Sequence, residues 1–278
     1  MKHQNFLGID LGGTKLLLVA GEHKERVATG VDFKPQDLYQ AVNSFLTANQ
    51  ITIKGIGLAV PGLISGNQLM SCDVLPHFSG WSPDFSFLKK SLPVFFINDV
   101  RAALLGLYPN PSRDFTGGVV FIGTAIGSAW LVKGLTLEGE KGWAGELGYF
   151  PIEWKGRVYR LDEIAGGRYM AEKVGLDGFE MFYRALEGDP NVVRVVKEGG
   201  YSLGMTLAGM INLFNPAEIV LGGGTIKLPH YWEEVQKAAK KHTIPSFWKN
   251  GLLKKWAGND ELVAIGAIEG CIKLVRKS

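Results

Sequence analysis

The pattern that most constrains this chain is an apolar run, a glycine turn and a second apolar run, and it occurs twice. In FLGIDLGGTKLLLVA (residues 6–20) two apolar stretches flank Gly12-Gly13, which reads as adjacent strands joined by a tight hairpin. GGVVFIGTAIGSAWLVKGLTLEG (117–139) repeats the design and suggests an internal duplication. Amides exposed in a glycine turn can approach phosphate oxygens because no Cβ stands in the way, and Thr14 and Lys15 add a hydroxyl and a positive charge. An ordinary hairpin is the bland alternative. The spacing matches neither GxxxxGK[ST] nor GxGxxG, so it supports neither a Walker loop nor a Rossmann turn. Asp10, on the strand beside the turn, would repel a phosphate unless a cation such as hydrated Mg²⁺ lay between them; the alternative is an Asp hydrogen-bonded to the turn.

Elsewhere strand and helix patterns alternate. Leu38, Ala41, Val42, Phe45 and Leu46 share one face of a helix over 38–49, and 53–60 is a buried strand stopped by Pro61-Gly62. PVFFIND (93–99) is a strand that runs straight into a helix over 100–108. YPNPSRD then reads as a linker. Past the second hairpin come an apolar helix at 200–214, a buried strand at 215–225 ending in Gly222, Gly223 and Gly224, an amphipathic helix at 231–241 and helical spacing at 262–275. Asp99 stands where a strand gives way to a helix, the edge that faces the ligand crevice in α/β folds. Capping that helix is its alternative duty, shared with Asn98.

Composition narrows the class. With 278 residues, 46% hydrophobic and 21% charged, the chain is expected to be soluble and globular, as two lobes or one large α/β unit with a cleft. The net charge of +3 is scattered, apart from pairs such as Lys240-Lys241 and Lys254-Lys255 on solvated faces, which argues against nucleic acid as a partner. Cys72 and Cys271 form no Cys-x-x-Cys pair, and MKHQNFLGID lacks the apolar core of a signal peptide, so a reducing cytoplasm is expected. The longest apolar stretch, 118–132, is too short for a bilayer, so no membrane partner is expected.

These segments together resemble the ROK sugar kinases (repressor, open reading frame, kinase), a branch of the actin and hexokinase superfamily. GIDLGGTK resembles the family's first phosphate motif, GLAVPGLIS its sugar-side turn and INDVRAALLG its catalytic segment. GTAIGSAWL resembles the second phosphate motif, GWAGELGY the sugar-binding loop and IVLGGG the adenosine motif. The resemblance implies a two-lobed actin/hexokinase-like (ribonuclease H-like) α/β ATPase fold with an interlobe cleft. Its lobes would be a smaller one over 1–108, joined by the closing helix 262–278, and a larger one over 109–261.

The implied activity is glucokinase-like: ATP- and Mg²⁺-dependent phosphorylation of a hexose or N-acetylhexosamine hydroxyl, often by a homodimer. Asp99 would be the general base. Asp10, Gly12, Gly13, Thr14, Lys15, Gly123, Thr124, Gly127, Gly222, Gly223 and Gly224 would serve ATP, with Asp10 near Mg²⁺. Gly62, Asn98, Asp99, Glu146, Tyr149 and Asp162 would serve the sugar.

The chain also departs from the family. ROK kinases usually carry GExGH and then CxCGxxGCxE, whereas this sequence reads GELGYFPIEWKGRVYRLDEIAGG, so no structural zinc is expected. Tyr149 stands for the family His. Aligning IAGG puts Asp162 at the usual sugar-binding Glu, with Glu163 as the competing assignment. His77 stands where the family has Asn, and Trp81 is expected to pack rather than to form a sugar platform. The losses motivate a rival reading, a sugar-sensing or catalytically weakened regulatory protein, although a first strand at about residue 6 leaves no room for the regulators' N-terminal helix-turn-helix. A structural actin-like ATPase would have no need of the GELG loop.

Overall fold

Both glycine hairpins form, and each seeds its own five-stranded sheet in the computed structural model, which describes residues 3–277. The chain divides into two compact units. The first holds the chain up to Pro111, Glu138–Trp143 and the chain from Gly258 onward; the second holds Ser112–Leu137 and Ala144–Ala257.

In the first unit, β1 (Phe6–Leu11) and β2 (Lys15–Ala20) pair antiparallel, with Leu11 opposite Leu16, and β3 (His23–Ala28) extends the ribbon. Helix α1 (Pro35–Ala48) starts on a proline, and the Asp37 carboxylate accepts from Lys34 N at 2.8 Å, which satisfies an otherwise orphaned amide. Its Leu38, Val42, Phe45 and Leu46 are buried with the leucines and isoleucines of the sheet. The chain then adds β4 (Gly55–Val60), a side hairpin of β5 (Leu63–Ser65) and β6 (Gln68–Ser71), and β7 (Val94–Asn98), which leads without a break into α2 (Asp99–Leu107). The sheet order is β3-β2-β1-β4-β7, with β1, β4 and β7 parallel.

The second unit repeats this plan. Strands β8 (Gly117–Ile122), β9 (Ile126–Val132) and β10 (Leu135–Thr136) form the antiparallel side. A hairpin of β11 (Pro151–Trp154) and β12 (Arg157–Arg160) follows, then α3 (Asp162–Ala165), α4 (Gly167–Val174), α5 (Gly178–Glu187) and the 25-residue α6 (Pro190–Phe214). Strand β13 (Glu218–Gly222) and, after α7 (Tyr231–His242), β14 (Leu253–Lys255) complete the sheet in the order β10-β9-β8-β13-β14. β13 is parallel to both β8 and β14.

Helix α6 begins ten residues before the apolar stretch that announces it in the sequence. Asp189 caps its start by accepting from Asn191 N at 2.9 Å, and Pro190 occupies the first turn. The closing helix (Leu262–Lys277) belongs to the first unit. Among the described residues, no helix is long and apolar enough to cross a membrane.

Candidate functional site

In the first unit the turn from Gly12 to Lys15 is closed by Gly12 N donating to Lys15 O at 2.8 Å. Thr29, just past β3, pins it from outside: its hydroxyl donates to Gly12 O at 2.7 Å and its amide to Thr14 O at 3.1 Å. Gly13 and Thr14 lie within this pinned turn. Lys15 Nζ is engaged by Asp260 Oδ2 at 3.1 Å, and Asp260 also holds Arg26 at 2.7 Å. Those two cations, chiefly the Arg26 hydrogen bond, bring the Asp260 carboxyl down to about 2. Nothing in the sequence pattern links Asp260 to Lys15.

Asp10 ends the register of β1 against β4, opposite Ala59. Burial, reinforced by the charge of Asp99, pushes its carboxyl from an ordinary 3.8 up to about 7; Lys15 pulls the other way and Asp260 adds to the rise. Asp99 is the first residue of α2. Its carboxyl is raised by burial, which outweighs hydrogen bonds from the Val100 amide, its own amide and the Asn98 side chain. The capping alternative resolves toward Asn98, whose Oδ1 accepts from Val100 N at 3.0 Å and Arg101 N at 3.3 Å. Asp99 contributes an acceptor for Val100 N at 2.8 Å. Asn98 Nδ2 donates to Gly62 O at 3.3 Å, which ties the turn after β4 to the start of α2. Asp10, the first glycine turn, Gly62, Asn98 and Asp99 thus gather at one end of the parallel strands.

In the second unit three glycine segments converge. Gly123 O accepts from Gly167 N at 2.9 Å and from Thr225 Oγ1 at 3.0 Å, while Thr124 O accepts from Arg168 N at 3.3 Å. A Cβ on Gly167 would lie 2.4 Å from Thr225 Oγ1, so glycine is required there for the segments to meet. Gly222 ends β13, with Gly223 and Gly224 just beyond it. Gly127 lies instead within β9, opposite Phe121. Gly166, Gly167 and Thr225 belong to this cradle and were not assigned to the site from sequence, although Gly166 and Gly167 end the aligned IAGG and Thr225 directly follows the third glycine turn.

The GELG loop is strapped to β9. Gly145 has φ +113°, and its carbonyl accepts from Ser128 N and Ser128 Oγ, both at 2.9 Å. Trp130 Nε1 holds the Ser128 hydroxyl at 2.9 Å. Glu146 is exposed and precedes a 3-10 turn at Leu147–Tyr149. Tyr149 is 58% exposed and carries the Arg160 guanidinium 5.0 Å from its ring centroid.

Asp162 is buried, and its Oδ1 accepts from Ile126 N at 2.7 Å, so it braces the second glycine hairpin. Burial raises its carboxyl, opposed by that amide and by Arg160. The competing Glu163 accepts from Arg160 N at 2.8 Å. The β11–β12 hairpin spans the stretch between Tyr149 and Asp162 where the family pattern places its cysteines. Cys72 and Cys271 are buried free thiols, and among the described residues no three His, Cys, Asp or Glu are grouped to hold a metal. Trp81 packs edge-on against Phe78 at 5.0 Å and donates to Tyr39 Oη at 3.1 Å.

The sequence profile of the ROK family matches residues 6–269. The chain belongs to the ROK family. Among relatives of this ROK protein, an N-acetylmannosamine kinase of Shigella boydii is 28% identical over 245 residues, 80% of this chain and 83% of that one. A ROK hexokinase from Thermus thermophilus superimposes with a TM-score of 0.79 at 24% identity, covering 98% of this chain and 99% of the other. A ROK family glucokinase from Streptomyces griseus, in complex with glucose and AMPPNP, gives 0.75 at 18% identity with the same coverage. The two structural likenesses establish that the fold is shared.

Proposed function

We propose that this ROK protein transfers the γ-phosphoryl group of ATP to a hydroxyl of a hexose or N-acetylhexosamine, with Asp99 as general base. The observation that carries the reading is the setting of Asp99: a raised carboxyl at a strand-to-helix junction, oriented by its own capping neighbour and gathered with Asp10 and the first glycine turn. Raising a carboxylate toward neutrality makes it a better proton acceptor for a sugar hydroxyl. As the sugar oxygen attacks the γ-phosphorus, its proton passes to Asp99 and the bond to the bridging oxygen breaks to leave ADP. Such transfer needs positioning and charge stabilisation rather than a covalent nucleophile.

The glycine turns at 12–15, 123–124 and 222–224 are the reading's phosphate and nucleotide contacts, while Gly62, Asn98, Glu146, Tyr149 and Asp162 address the sugar. Asp10 is a half-buried oxygen donor beside the first glycine turn, and the charge of Asp99 helps to raise it, which is a fit for Mg²⁺ held by one carboxylate together with water and phosphate. When bound, the ion neutralises phosphate charge. The range of acceptors follows the named relatives, which span N-acetylmannosamine and glucose kinases.

Purified protein given ATP, Mg²⁺ and a panel of hexoses and N-acetylhexosamines is expected to release ADP only when a suitable sugar is present. Asp99→Ala should lower kcat by at least about a hundredfold while ATP affinity stays within about twofold. An Asp99→Ala variant that keeps most of its kcat would remove Asp99 as the base.

A further inference from the structure

Arg101 lies one residue beyond Val100 on α2 and has only 17% of its side chain exposed. One terminal nitrogen donates to Gly142 O at 2.6 Å and the other to Glu138 Oε1 at 3.0 Å. Among the described residues its buried Nε–H meets no acceptor, so the fold carries an unpaired donor while keeping both terminal nitrogens on residues 138–142. The same segment is held a second time, by Trp143 Nε1 donating to Ile64 O at 2.7 Å, in the side hairpin just after Gly62. Glu138–Trp143 therefore groups with the first unit, although the chain on both sides of it belongs to the second. Ala144, Gly145 and Glu146 follow directly from these moorings.

We infer that Arg101 is a positioning residue that fixes Glu138–Trp143, the segment leading into Gly145–Tyr149, to α2, and so sets sugar affinity. The inference rests on the sugar-kinase reading for its kinetic form. The planar guanidinium suits the task because it reaches two acceptors at once, which a lysine ammonium on a flexible stem cannot reproduce. Trp143 supplies a second fixed point, so the loop root is held in orientation as well as in place. Neither residue is among those proposed to contact the sugar or ATP.

In Arg101→Ala the KM for the preferred sugar is expected to rise at least about tenfold, chiefly from loss of the part-buried, charge-assisted hydrogen bond to the Gly142 carbonyl, since Glu138 is exposed, while the KM for ATP stays within about twofold. Arg101→Lys should recover part of the loss, and it serves as the reporter if the alanine variant fails to fold. Amide hydrogen exchange, run on the same proteins without substrates, should accelerate over residues 138–149 and stay unchanged in β1, β4 and β7.

An unchanged sugar KM, or equal rises for sugar and ATP, would overturn the inference; so would unchanged exchange over 138–149. Should the parent protein turn over no sugar, the kinase reading fails by itself, and the exchange experiment still decides whether Arg101 moors the loop.

Discussion

Asp10 shows most clearly how a residue proposed for the site can work against its own fold. Its carboxyl moves from an ordinary 3.8 to about 7, so the folded chain holds this proton more tightly than the unfolded chain does. The contribution is therefore full below about pH 4 and lost as pH rises toward 7, at roughly 1.4 kcal/mol for each tenfold difference in proton affinity. Urea unfolding in chelator should show wild type losing about 2–4 kcal/mol between pH 4 and pH 8 relative to Asp10→Asn. Mg²⁺ at pH 8 should restore stability to wild type alone. Parallel pH profiles for the two proteins would contradict this account of Asp10.

Tyr149→His tests the acceptor side: the ranking of sugars should change while the KM for ATP does not, and an unchanged ranking would take Tyr149 out of the sugar site. Asp10 and the glycine turns are legible in the sequence because turn chemistry is local. Asp260 is not, since its bond to Lys15 spans 245 residues and its own neighbourhood reads as a surface turn. Asp162 is intermediate: aligning IAGG singles the residue out, but only its bond to Ile126 N reveals that it braces the second hairpin.

Among the elements, both glycine hairpins can be read directly, because an apolar run broken by glycines specifies two strands and a turn. Helix α6 is legible only in its apolar second half. Gly199 and Gly200 look like a helix stop by propensity, and packing overrides it. A Cβ on Gly204 would lie 2.5 Å from Val235 O, whereas one on Gly209 would meet nothing within 4 Å. Opposite signs follow for one substitution on one helix. Gly204→Ala should destabilise by about 1–3 kcal/mol, because α7 must move away. Gly209→Ala should stabilise by up to about 1 kcal/mol through helix propensity. Thermal and urea denaturation of both variants check the pair, and equal signs would show that close helix packing does not govern α6.

For the whole molecule, the suggestion of duplication in the sequence has a structural counterpart: two sheets with the same order of an antiparallel ribbon followed by parallel strands. The halves diverge in chemistry. Asp10 and Asp99 are concentrated in one unit, and the GELG loop with the Gly123, Gly167 and Thr225 cradle in the other. The membership of Glu138–Trp143 is not legible, because EGEKGW carries no periodic pattern and its moorings to Arg101 and Ile64 are distant in sequence.

Phosphoryl transfer to a sugar is the claim on which the site assignments depend, and mass spectrometry of the sugar after incubation with ATP and Mg²⁺ tests it most directly. At least one hexose or N-acetylhexosamine should gain a single phosphoryl group with wild-type protein and none with Asp99→Ala. Unmodified sugars across the whole panel, with folded wild-type protein and ATP bound, would contradict it.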